Sequence, residues 1–89
     1  MIKKGVVISV AESDTDSTKH YMIAERLTDI GRQEDEGGWL CIEMDALVEK
    51  GIDNITAFDC WRITDRYLAV QMERGVITIP KFNLTQNEN

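Results

Sequence analysis

Glycine punctuation constrains this chain more than any other feature. The glycines at 31, 37, 38, 51 and 75 cut 89 residues into short segments, and the only proline, Pro80, sits near the end. The segments between them are short, with room for about two short elements each, and the total length permits a single domain. Residues 1–82 are expected to form one compact domain. Asn83–Asn89, with one apolar residue, is expected to be a mobile tail.

Gly5 to Ala11 is rich in β-branched residues and reads as a strand buried on both faces. Ile23, Ala24, Leu27 and Ile30 then recur at helical spacing behind an N-cap at Asp16 or Ser17, and Gly31 is placed to close that helix. Leu40, Cys41, Met44, Leu47 and Val48 share a second helical stripe ending at Gly51, although Trp39–Met44 also reads as a short strand. Leu68, Val70 and Met72 alternate with polar or small residues, Glu73-Arg74-Gly75 supplies a turn, and Val76–Ile79 is β-branched. Ile55–Ile63 is a third candidate strand with a poor pattern.

The expected architecture is α+β: an N-terminal strand, two helices, then a C-terminal antiparallel meander of two or three strands. Two rivals follow from the ambiguous segments. Strands at Lys19–Leu27 and Trp39–Met44 would give a small β-barrel. Helices at Thr56–Ile63 and Asp65–Arg74 would give a winged helix.

The chemistry available to the chain is narrow. His20 is the only histidine, and Cys41 and Cys60 are far apart in sequence, without the close pairs of a zinc site. No nucleophile motif, phosphate-binding glycine loop or dinucleotide fingerprint is present. Asp14-Thr15-Asp16 with Glu25 mimics the oxygen spacing of a calcium loop, but the required glycine is replaced by Lys19. The expectation is no enzyme, no metal and no cofactor. No apolar run approaches the roughly 20 residues of a membrane span, and no secretory leader is evident, so a cytoplasmic protein with reduced thiols is expected.

Charge is the feature that points to a function. The formal net charge is -6, but residues 12–53 hold 12 acidic and 4 basic side chains, while the two ends together carry a small positive excess. An acidic face can steer and engage a basic partner, including a protein groove that otherwise holds nucleic acid. Asp14, Asp16, Glu34, Asp35, Glu36, Glu43, Asp45 and Glu49 are the candidate contacts, with Trp39 as an apolar anchor. The expected protein is therefore a small acidic regulator or inhibitor. The alternative is DNA binding through the basic last third, where Arg62, Arg66, Arg74 and Lys81 interleave with Trp61 and Tyr67. An acidic chain opposes that reading. A homodimer through an edge strand at Val76–Ile79 is a further expectation.

Overall fold

A computed structural model describes residues 2–11, 17–30 and 36–80. Five strands form one antiparallel sheet: β1 Val7–Ala11, β2 Thr18–Leu27, β3 Gly38–Glu43, β4 Cys60–Thr64 and β5 Ile77–Thr78. Their order across the sheet is β4-β3-β2-β1-β5. Two helices complete the fold, α1 Met44–Lys50 directly after β3 and α2 Asp65–Glu73 directly after β4. Two single 3₁₀ turns, Ile52–Asn54 and Ala57–Asp59, carry the chain from α1 to β4.

The α+β class holds, and the element order differs from the expected one. The segment with helical spacing after Ser17 is the ten-residue strand β2. Its pairing with β3 shifts by one residue between Ile23 and Glu25, so Ala24 is a bulge. The bulge breaks the two-residue period, leaving apolar residues at spacings that imitate a helix. The second expected helix divides at Glu43: Gly38–Glu43 is strand, and only Met44–Lys50 is helical. Gly51 does end that helix, at φ +78°, with its N–H donated to the Leu47 carbonyl. Leu68–Glu73, expected as a strand, lies in α2. Thr64 caps α2, its hydroxyl accepting the Tyr67 N–H at 3.1 Å. A winged helix needs a helix at 56–63, where the chain forms a 3₁₀ turn and β4 instead. The strands of the barrel alternative are present, but the sheet is open, with β4 and β5 as its edges. The expected tail, residues 83–89, lies outside the described residues.

Helix α2 packs against both edge strands. Its nine residues span about 13 Å, so the sheet curls to bring β4 and β5 to the same helix. The hollow face is built from a lattice of cross-strand partners. Ile8 pairs with Tyr21, Ile23 with Cys41, Cys41 with Trp61, Trp39 with Ile63, and Val10 with Ile77. The core is drawn from every strand: Ile8, Ile23, Cys41, Ile63 and Ile77 are almost wholly buried, and Leu68 of α2 closes over them. Each fully buried aliphatic chain contributes about 1.5–3 kcal/mol relative to exposure. Ile42, on the opposite face of β3, and Ala46 are buried outside this cluster, where α1 packs on β2 and β3.

Candidate functional site

At one end of the hollow face the core lattice opens into a cleft of about 370 Å³. Tyr21 of β2, Trp61 of β4 and Tyr67 of α2 form its aromatic wall. The Tyr21 and Trp61 ring centroids are 5.2 Å apart with planes tilted by 51°. Tyr67 meets Trp61 edge-on at 5.7 Å and 80°. Such angled contacts set the positive edge of one ring against the negative face of the next. Both tyrosines and one of the two tryptophans of the chain are thus spent on one cluster. Phe58, beside them, is 98% exposed.

The lip carries charge. Glu43 is the cross-strand partner of Tyr21, and by register it lies two residues along the same face from Cys41, the partner of Trp61. Lys19 and Asp59 complete the charged lining. Asp59 is engaged by its own loop: its carboxylate accepts Lys50 Nζ at 2.9 and 3.0 Å, the Thr56 N–H at 2.9 Å and the Thr56 hydroxyl at 3.1 Å. The Thr56 N–H and then Lys50 hold Asp59 below the usual carboxylate range. Glu43 caps α1 by position only, without a side-chain hydrogen bond, and forms no ion pair with the described residues. It is the uncommitted carboxylate of the cleft.

The expected acidic face is represented only in part. Asp14, Asp16, Glu34 and Asp35 lie outside the described residues. Glu36 is half-buried, and its carbonyl accepts the Ile30 N–H at 3.0 Å. Asp45 and Glu49 are exposed on α1. Among the described members, only Glu43 lines the cleft. Trp39 is half-buried against the core, with Arg26 lying over its ring 4.9 Å from the centroid. Arg26 also donates both terminal nitrogens to Asp65, each at 2.7 Å.

The remaining candidate groups are dispersed. His20 is exposed and pairs with Ser9 on the face opposite Tyr21. Cys41 is buried on the hollow face, while Cys60 pairs with Ile42. Both thiols are free. Among the described residues no three histidine, cysteine or acidic side chains gather to hold a metal, and no helix is long and apolar enough to cross a membrane. Of the basic last third, half-buried Trp61 and exposed Tyr67 line the cleft, while Arg66 and Arg74 are exposed on α2 and just beyond it. Sequence reasoning connected Trp61 with Tyr67 but missed Tyr21, because alternation through the bulged β2 was the only signal for its face.

The chain matches no protein-family model, and comparison with curated proteins and with solved structures gives no significant match.

Proposed function

We propose that the protein is a non-catalytic regulator or inhibitor that binds a basic surface of a partner protein, with the aromatic cleft as its contact. One observation carries this reading: the Tyr21–Trp61–Tyr67 wall stands open to solvent beside the uncommitted Glu43. Aromatic residues supply large contact area at small entropic cost, and they dominate binding hot spots. Phe58 extends the apolar contact beyond the cleft. Asp45 and Glu49 on α1, together with the net charge of -6, give the field that draws a basic partner in. The same field repels the nucleic-acid backbone.

The test is capture from host lysate by immobilised wild-type protein, Tyr67→Ala and Glu43→Gln, each checked for folding by circular dichroism. A protein retained by the wild type, lost by Tyr67→Ala, and released as salt rises from about 50 to 300 mM supports the reading. Equal retention by all three proteins, or retention of nucleic acid alone, overturns it.

A further inference from the structure

The hollow face carries two tryptophans, each near a carboxylate, and an arginine stacks on only one of them. Trp39 and Trp61 stand on neighbouring strands, one rung apart: Trp39 opposite Ile63, Trp61 opposite Cys41. Around Trp39 the protein builds a complete assembly. Arg26 stacks over the ring, and both of its terminal nitrogens bond to the two oxygens of Asp65. Around Trp61 the ring and a carboxylate are again present, the latter as Glu43, but no arginine lines the cleft. Tyr21 and Tyr67 flank the ring instead.

We infer that this cleft is an arginine seat, taking the guanidinium of an arginine in an extended segment of the partner onto Trp61, with its N–H groups directed to Glu43. The inference rests on the cleft being the partner-binding surface. The chemistry is that of the Arg26 assembly. A guanidinium is planar and weakly hydrated, so it stacks on an aromatic face and still presents its donor fork to a carboxylate. An ammonium is a compact, strongly hydrated charge that fits such a site less well. Asp59 is held by Lys50 and Thr56. Glu43 is the acceptor that remains. The cleft volume exceeds that of one side chain, leaving room for the adjoining backbone of the guest.

The probe is a capped pentapeptide, Ser-Ala-Arg-Ala-Ser, compared with the same peptide carrying citrulline or lysine in place of arginine. The readout is the indole N–H resonance of Trp61, with that of Trp39 as the internal reference. The arginine peptide is expected to shift the Trp61 signal saturably and to leave Trp39 in place. Citrulline keeps the shape and loses the charge, and should bind about tenfold more weakly, as should the arginine peptide to Glu43→Gln. The lysine peptide should fall between them. Equal binding of arginine and citrulline, equal binding of arginine and lysine, or no arginine-dependent shift overturns the inference. The peptide comparison uses the wild-type protein, so it stands even if Glu43→Gln fails to fold. Cleft-dependent capture of a protein partner, combined with equal binding of arginine and citrulline, would leave the binding module standing and remove the arginine seat.

Discussion

Arg26 and Asp65, 39 residues apart in sequence, meet through two parallel hydrogen bonds of 2.7 Å, and Trp39 lies beneath the guanidinium. The contact ties β2 to the first residue of α2. It joins the strand at the far side of the Ala24 bulge to the helix that spans both sheet edges.

Replacing Arg26 with lysine keeps the charge but loses the fork and the stacked plane. Arg26→Lys is therefore expected to lower the melting temperature nearly as much as Arg26→Ala, and to shift Trp39 emission to the red. A double-mutant cycle with Asp65→Asn should show a coupling that shrinks as salt rises, because both side chains are about half exposed. The bond from Arg26 holds Asp65 below the usual carboxylate range. Its stabilisation is therefore complete above the unfolded value of about 3.9 and is lost as pH falls through the lower folded value. Asp65→Asn should flatten that acid limb of a stability–pH curve.

Burial pushes the Cys41 thiol up to about 12, with neighbouring Cys60 adding to the effect. The unfolded thiol ionises near 8.5, so the folded state keeps a proton that the unfolded state releases. Stability is expected to decline as pH rises from about 8.5 toward 12, and Cys41→Ala should remove that part of the slope. A thiol reagent at neutral pH should modify half-buried Cys60 first and reach Cys41 only with unfolding.

Gly38 is buried, and a methyl group there would strike the Ile63 carbonyl and the Ile30 side chain. Both neighbours are packed, and the carbonyl is backbone. Gly38→Ala is expected to cost about 1–3 kcal/mol by displacing β4 from β3. At Gly51 a methyl meets nothing, but the backbone sits at φ +78°. With ψ at 159° that conformation is nearly restricted to glycine, so Gly51→Ala should cost about 1–3 kcal/mol through conformation alone. Denaturant unfolding would measure both costs, and amide spectra of the folded variants would separate the causes, since only Gly38→Ala should disturb the resonances of β4.

Ile8 of β1 is completely buried in the core, and Ile8→Ala is expected to cost about 2–5 kcal/mol. Phe58→Ala, at an almost fully exposed site, should stay within about 0.5 kcal/mol. If the exposed ring serves the partner, the second change should weaken partner capture while leaving the melt unchanged.

How far the sequence could be read depended on where local pattern and tertiary packing agreed. Gly5–Ala11 agreed as a strand: a β-branched run became β1, with Val6 and Ile8 in the core, but only the Ile8 face is buried rather than both. Gly51 agreed as a helix terminator. β2 did not, because one bulged residue changed which side chains face inward and put Arg26 on the hollow face. α2 did not either. Its exposed Val70 and Met72 alternate with polar residues, and only Leu68 of its side chains is buried, so the helix has no wide apolar stripe. The start of that helix is set by Thr64, whose hydroxyl accepts the Tyr67 N–H. The cleft was half legible: Trp61 and Tyr67 stood out as aromatics among arginines. Tyr21 and Glu43 joined them only through a strand register that no local pattern encodes.

The place of β1 between β2 and β5 has a consequence for biosynthesis. Strand β1 waits for β5, which follows every other described strand in the chain: the Ala11 N–H finds the Val76 carbonyl at 2.9 Å, and Val10 finds Ile77. Until a nascent chain has emerged through residue 78, β1 presents an uncovered edge and the pocket filled by Ile77 stays empty. A chain clipped after α2 would keep that edge bare, open to strand-to-strand aggregation and to proteolysis. The covering of β1 is therefore deferred until residues 76–78 are available to pair with it.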